Sequence, residues 1–277
     1  MGLRINTNVA SLVAQRSLGI NKMNTDNNLR KLASGERITR AADDAAGLAI
    51  SEKLKGHIRG IRQAKRNAED GISLIQTAEG GLSEISALVI RLRELAVQAA
   101  SDTVGNTERA FSDIEFQNLK EEIQRISKSS EFNGTKLLDG TGGLMEVQVG
   151  IHNDPMLDRL KYDASTLDST VESLGIFAEA IASKEGAQLS LEKLDRALVR
   201  INGARANLGA LQNRLQSTST NLGVTDENFS AANSRIRDVD VAAETADLAK
   251  NNILNQASVA VLAQANNAPQ FALKLIG

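Results

Sequence analysis

The chain has 277 residues, a formal net charge of −2, no Cys, no Trp, and only six Phe and one Tyr. So few aromatic rings argue against a thick globular core with large pockets and favour long, thin packing of helices rich in Ala, Leu and Ile. The absence of Cys excludes disulfides, thiolate metal sites and cysteine nucleophiles.

Positive charge is concentrated in residues 1–66, which carry 13 Lys and Arg against 5 Asp and Glu. This asymmetry raises one alternative function, a nucleic-acid-binding coiled coil. The richest run, HIRGIRQAKR at 57–66, has no aromatic residues on which bases would stack, so we favour a solvated or ion-paired helix face. No segment approaches the roughly 18 apolar residues of a membrane span, and the opening residues lack the pattern of a cleaved signal peptide. We predict neither nucleic-acid binding nor membrane insertion.

The first segment, residues 1–33, carries apolar side chains at helical spacing, but six Asn residues interrupt the pattern. Asn is a poor helix former, and an isolated helix of this kind is only marginally stable in water. We therefore expect this segment to be frayed in a free monomer and to fold against partners. The predicted subunit-contact stripe consists of Ile5, Val9, Leu12, Ile20 and Met23.

Two adjacent acids, Asp43 and Asp44, lie in the stretch RAADDAAGLAISEKLKG at 40–56, where a long helical repeat begins. Acid–base chemistry by such a pair needs a cleft and two different environments, and the flanking Ala residues indicate neither. Carboxylates at the start of a helix accept hydrogen bonds from its free N–H groups and face the positive end of its dipole. We predict that both acids are helix caps.

The strongest periodic signal runs from Gly47 to Ala99, where apolar or small residues recur every three or four positions and only His57 is polar. This heptad predicts one very long helix. A second apolar stripe lies at 116–126, a third at 191–215, and the turn candidate SDTVGNTE at 101–108 should fold the first helix back on the second. The third stripe would complete an antiparallel bundle or coiled coil.

Between the second and third stripes, residues 132–163 contain an Asn-Gly pair, a Gly-rich turn and strict alternation of Val147, Val149 and Ile151. These features predict a small β-hairpin region. The two His residues, His57 and His152, are 95 positions apart and belong to no ligand motif, so we predict no metal site, no cofactor and no enzymatic activity.

The last segment, residues 240–277, again combines an apolar stripe with Asn, which occurs five times. We expect it, like residues 1–33, to fold against partners; the alternative is that the two terminal segments simply pair with each other. The predicted contact residues here are Ala246, Ala249, Ile253, Leu254, Ala257, Val261 and Leu262.

The predicted fold class is therefore mainly α: a bundle of long antiparallel helices with a small β-hairpin region at about 132–165, flanked by paired terminal helices. The predicted terminal domain comprises residues 1–33 and 240–277, the connecting segments 34–43 and 234–239, and the rod domain 44–233.

Several motifs together resemble bacterial flagellin: the opening MGLRINTNVASLVAQRSLG, the stretch 40–82, RLRELAVQAA at 91–100, FNGTKLLDG at 132–140 and the close ASVAVLAQANNAPQFALKLIG. The resemblance implies a filament subunit that self-assembles with identical chains and is exported through the flagellar type III apparatus to the cell exterior. It also implies export-chaperone, cap and hook-junction proteins as partners. The third helix follows the hairpin region almost directly, so the chain should lack outer variable domains.

Two further points follow from the resemblance. Arg91, Leu95 and Glu115 match the family's arrangement for recognition by a Toll-like receptor, although Ile90 and Leu119 differ from the usual neighbours. The hook-filament junction protein, which shares terminal helices of this kind, is the alternative function within the same superfamily.

Overall fold

A computed structural model describes the backbone of residues 7–276 and the side chains of residues 7–268. Ile5 lies outside the described residues. Within them the chain is dominated by long helices, which confirms the predicted fold class. The helices are α1 (Val9–Ser34), α2 (Ala45–Ala99), α3 (Asn106–Ser129), α4 (Lys184–Arg237) and α5 (Val241–Ile276), with a short 3-10 helix at Ala164–Leu167.

The chain divides into two compact units, one made of residues 57–227 and the other of residues up to 56 together with those from 228 onward. We call them the central unit and the terminal unit. The division falls inside α2 and α4, so each of these helices contributes to both units. The boundaries that we predicted lie elsewhere, in the connecting segments 34–43 and 234–239.

In the central unit, the heptad of α2 forms the core. Every predicted heptad position from Ile61 to Ala99 is buried. Earlier in the helix, in the terminal unit, the same repeat leaves Ile50 exposed by 53%. Partners come from α3, through Phe116 and Ile123, and from α4. The buried apolar residues of α4 are Ala187, Leu194, Ala197, Ile201, Leu208 and Leu215.

The hairpin region of the central unit contains two separate two-stranded antiparallel sheets. The first pairs β1 (Glu131–Phe132) with β2 (Thr135–Lys136), and the second pairs β3 (Leu144–Gln148) with β4 (Arg159–Asp163). Asn133 and Gly134 both have positive φ, 49° and 79°, as the tight Asn-Gly turn between β1 and β2 requires.

The helix that carries the third apolar stripe is α4, and it does not directly follow β4. Residues 164–183 lie between them as a packed segment that, after its short 3-10 helix, is irregular. The Nζ of buried Lys120 in α3 donates to the carbonyl oxygens of Phe177 (2.7 Å) and Glu179 (2.9 Å), and Asp113 Oδ1 accepts from the Ile181 N–H at 2.7 Å. Burial lowers the pKa of Lys120. Our expectation was wrong here because the segment has no regular period for sequence reasoning to detect. Its buried apolar residues are Ala164, Leu167, Val171, Leu174, Ile176 and Ile181.

Candidate functional site: the paired terminal helices

Each terminal helix begins at a polar cap. Asn8 precedes α1, and its Oδ1 accepts from the Ser11 N–H at 3.1 Å. Asp240 precedes α5, and its Oδ1 accepts from the N–H groups of Ala242 (2.9 Å) and Ala243 (3.2 Å). Gly35 ends α1 in the left-handed conformation, with φ 70°. These caps fix where both helices start and where α1 stops.

The two helices lie against each other and run antiparallel. A ladder of side-chain contacts joins them, and at the end near the connecting segments Lys31 Nζ lies 3.5 Å from Glu244 Oε1. The other contacts are Asn8 Nδ2 to Ala265 O (2.7 Å), Ser11 Oγ to Asn266 Oδ1 (2.7 Å), Asn21 Nδ2 to Ser258 Oγ (2.9 Å) and Asn255 Nδ2 to Thr25 Oγ1 (2.8 Å). In the structure of the single chain, then, the terminal segments pair with each other, which is the alternative that we gave.

The Asn residues have a role that sequence reasoning missed. We interpreted them as interruptions of the apolar stripes, but they carry the contact between α1 and α5, and the buried residues of α1 are Ser11, Ala14 and Asn28. Small and polar side chains let the helix backbones approach and give the pairing a defined register. The signal was present as a second helical spacing, since Asn21, Asn24 and Asn28 recur every three or four positions.

Because polar residues occupy the contact, large apolar side chains of both helices remain in solvent. We call this set the outer seam; its members are between 40% and 66% exposed. They are Val9, Leu12, Val13, Ile20, Met23, Ile253, Leu254 and Val261. Of the other predicted contact residues, Ala246, Ala249 and Ala257 are exposed and Leu262 is half-buried. Large apolar side chains exposed in such number are typical of an interaction site.

Part of the outer seam forms a cleft between the helices, with a volume of about 450 Å³. Its α1 wall includes Val9 and Val13, and its α5 wall includes Leu254 and Val261. The remaining wall residues are small, Ala10, Ala14, Ser17, Ala257 and Ser258. The cleft therefore offers a recess into which apolar side chains of another chain fit.

The predicted capping acids, Asp43 and Asp44, take different roles. Asp44 lies just before α2, and its Oδ1 accepts from the Gly47 N–H at 2.8 Å. Asp43 instead binds the preceding loop, where its Oδ2 accepts from the Thr39 hydroxyl (3.0 Å) and from the N–H groups of Thr39 (3.0 Å) and Arg40 (2.9 Å). These bonds, the one from the Thr39 hydroxyl first, lower the pKa of Asp43. We had not foreseen this loop contact of Asp43.

Arg237, at the end of α4, ties the connecting segments together. Its guanidinium pairs with Glu36, with Nε 2.8 Å from Oε1, and with Glu52 on α2. Hydrogen bonds to Glu52 and Glu36 raise its pKa. The Arg37 N–H also donates to the Arg237 carbonyl at 2.6 Å, and the Val239 N–H to that of Gly35 at 3.0 Å. The ends of α1 and α4 that lead to the outer seam are thus held by ion pairs and backbone hydrogen bonds.

The predicted receptor-epitope residues lie in the central unit. Arg91 Nη2 lies 2.8 Å from Glu115 Oε1, and its Nη1 lies 3.1 Å from Glu94 Oε2. The hydrogen bonds that Arg91 donates to Glu115 and Glu94 raise its pKa. Leu95 is only 3% exposed and belongs to the core. The structure brings Arg91 and Glu115 together on the surface and places Leu95 beneath it.

Long paired helices that leave large apolar side chains exposed are typical of the class of helical proteins that associate with partner chains. Comparison with known proteins gives the family. The family model of the bacterial flagellin N-terminal helical region matches residues 5–142, and that of the bacterial flagellin C-terminal helical region matches residues 191–276. The chain belongs to the bacterial flagellin family, a family of structural proteins.

Individual relatives match over nearly the whole chain. It is 46% identical to a flagellin of Halalkalibacterium halodurans and 41% identical to a flagellar filament 30.7 kDa core protein of Treponema maltophilum, in each case over 98% of this chain and 99% of the relative. The crystal structure of Bacillus cereus flagellin is 33% identical, with a TM-score of 0.51, over 57% of this chain and 88% of that chain. These matches confirm the resemblance seen in the sequence.

Proposed function

We propose that this protein is the structural subunit of an extracellular bacterial flagellar filament, a helical polymer of identical chains that serves swimming motility. The observation that carries the proposal is the outer seam, which leaves Met23 and Ile253 about 60% exposed on helices that are already paired. The family and its filament-forming relatives support the same role. The role is structural and needs no enzymatic chemistry.

Burial of the outer seam supplies the driving force for assembly. Full transfer of a large aliphatic side chain out of water contributes about 1.5–3 kcal/mol, and burial of a half-exposed one contributes about half of that. Together, the eight half-exposed residues of the outer seam therefore contribute an amount comparable to the cost of fixing one subunit on another, which is about 4–15 kcal/mol. Contacts between two different surfaces of identical chains propagate as a helical lattice when the rotation from one subunit to the next does not close a ring.

We further propose that residues 1–33 and 240–277 form the inner layer of the filament and residues 44–233 the surrounding layer. In dilute monomer the paired terminal helices should open readily, because the bonds between them join polar groups that water also satisfies. Assembly and full ordering of these helices would then be coupled.

Partners other than identical chains follow from the exposed seam. Before assembly, the exposed apolar side chains of the outer seam must be shielded from non-specific association, and we propose that an export chaperone binds them. At the growing end we propose a cap protein, and at the base a hook-junction protein that offers a matching apolar surface. Recognition by a Toll-like receptor would have to use the exposed Arg91 and Glu115, because a residue 3% exposed, such as Leu95, offers a partner almost no surface.

The alternative function, a hook-filament junction protein, predicts a single short ring where the filament role predicts indefinite growth. The relatives that match nearly the whole chain are described as flagellin or as filament core protein, which favours the filament.

Seeded growth tests the proposal. Purified monomer is mixed with short fragments of filament made from the same chain, and length is followed by electron microscopy. Continuous elongation in proportion to added monomer is expected, and a variant that lacks residues 240–277 should stay soluble and not elongate the seeds. Arrest at one ring of subunits would support the junction role, and normal elongation by the truncated chain would contradict assembly through the terminal helices.

A further inference from the structure

The two His residues of the chain come together in the central unit, although 95 positions separate them in the sequence. His57 lies on α2 and His152 lies in the loop that joins β3 to β4. Their ring centroids are 6.1 Å apart and the ring planes meet at 83°. Our prediction that no metal site exists depended on the distance between the two His residues in the sequence. In the folded chain they are neighbours.

A close and regular docking of the hairpin on α2 creates this contact. Near the sheet, a Cβ added to Gly71 would lie 3.2 Å from Cγ2 of Val147, so the strand passes directly over this glycine. One step further, Asn67 Nδ2 donates to the carbonyl of Gln148 at 2.9 Å. The strand and its loop therefore run along α2 toward the N-terminus of the helix.

Further toward the N-terminus of α2, the β3–β4 loop makes its closest approach to the helix. A Cβ added to Gly60 would lie 2.9 Å from Cγ2 of Ile151, the residue before His152. The loop is also held internally, because Gln148 Nε2 donates to the carbonyls of Gly150 (3.0 Å) and His152 (2.8 Å). The pairing of His57 with His152 continues a series of fixed contacts and is not a chance approach of two free side chains.

We propose that His57 and His152 bind one divalent transition-metal ion, of which Zn²⁺ and Ni²⁺ are the best candidates. A metal about 2.0–2.1 Å from an imidazole nitrogen lies roughly 3.2 Å from the ring centroid, so two rings on one tetrahedral metal have centroids about 5.2 Å apart. The observed separation of 6.1 Å is about 1 Å wider, so metal binding requires a small movement of one ring toward the other. The His152 side chain is exposed and can turn about its own bonds to aim a nitrogen at the metal.

The surroundings favour this class of metal. Imidazole ligands suit Zn²⁺, Ni²⁺ and Cu²⁺ and do not suit Mg²⁺ or Ca²⁺. Within the described part of the chain, no group of three or more His, Cys, Asp and Glu could hold a metal, so water completes the coordination of a two-ligand site.

A bound metal would link the β3–β4 loop to α2. This inference is independent of the proposed filament role, because it concerns contacts within one chain.

The two His residues are the only imidazoles in the chain, which makes the test direct. Zn²⁺ is titrated into the full-length monomer while the imidazole signals of both His residues are followed by ¹H–¹⁵N NMR. We expect both signals to change together and to saturate at one Zn²⁺ per chain. Movement of one signal alone, or of neither, would overturn the proposal.

Variants provide the control. His57→Asn and His152→Asn should each weaken Zn²⁺ binding at least roughly tenfold, because one imidazole alone is a poor ligand set. Met156→Ala, a change at a position 89% exposed in the same loop, should bind like the parent chain. Equal binding by parent and His152→Asn chains would contradict the site. Exposed His152 carries the test even if His57→Asn prevents folding.

Discussion

The central and terminal units are both built from long helices, yet they bury opposite kinds of residue. In the central unit Leu82, Ile85 and Leu92 are completely buried. In α1 of the terminal unit the buried residues are Ser11, Ala14 and Asn28, while Met23 is 58% exposed. The central unit buries its large apolar side chains in a hydrophobic core. The helices α1 and α5 of the terminal unit satisfy polar groups at their contact but leave large apolar side chains exposed. The difference teaches that the terminal helices pair through one face and leave an apolar face exposed, which is the face that we propose is covered by other subunits.

The largest expected effect lies in the central core. Leu92→Ala should reduce the free energy of unfolding by about 2–5 kcal/mol, because it opens a cavity among fully buried side chains. The measurement is urea unfolding of the monomer followed by circular dichroism. Leu189→Ala, at a position 68% exposed on α4, is the matched control and should change stability by less than about 0.5 kcal/mol. A small loss at Leu92 would mean that this core is not tightly packed.

The second effect separates assembly from folding. Ile253→Asp should raise the monomer concentration needed for filament growth at least roughly tenfold. The reason is that filament formation would bury the new charge in the outer seam, which is exposed in the monomer. The same change should alter monomer unfolding by less than about 0.5 kcal/mol, because the side chain is already in solvent. Sedimentation of polymer gives the first quantity and urea unfolding the second, with Ile253→Leu as control. Equal damage to both quantities would show that this face is buried in the monomer.

A smaller effect is expected from the polar ladder. Asn21→Ala removes the hydrogen bond to Ser258 and should weaken the pairing of α1 with α5 by about 0.5–1.5 kcal/mol. Amide hydrogen exchange of α1 in the monomer measures this change. Asn252→Ala, at an exposed position on α5, should leave the exchange rates as they are. If both variants behave alike, the Asn ladder does not hold the pair.

The smallest effect concerns pH. Since the hydrogen bonds from Thr39 and Arg40 lower the pKa of Asp43, its charged form is favoured in the folded chain. Its contribution to stability is therefore present above the ordinary value of 3.8 and is lost as pH falls through the lowered pKa. Asp43→Asn and Thr39→Val should each flatten the fall in stability below about pH 4. Unfolding measured from about pH 2 to 6 checks this, and an unchanged acid limb in both variants would refute it.

Sequence reasoning succeeded where a period ran long enough to identify one face of a helix. The repeat from Ile61 to Ala99 predicts the buried face of α2 because each position meets a packed neighbour. In the terminal helices the predicted contact residues Val9, Leu12 and Ile253 are exposed, and their contact with other subunits stays a prediction.

The features that sequence reasoning missed depend on contacts between distant parts of the chain. The Asn residues looked like interruptions until α5 was placed beside α1, and residues 164–183 have no period that marks their buried side chains. His57 and His152 meet only because the hairpin docks along α2. Periodicity reports which face of an element is apolar, but not what will cover it.

Chemical labelling tests the central claim most directly, because the chain has no Cys of its own. Single replacements Met23→Cys and Ile253→Cys place thiols on the outer seam, and Leu92→Cys places one in the core. With a maleimide reagent, the account predicts fast labelling of both seam positions in monomer, strong protection of both in filament, and slow labelling of the core position in each state. Seam thiols that are protected in dilute monomer, or that label equally fast in filament, would contradict it.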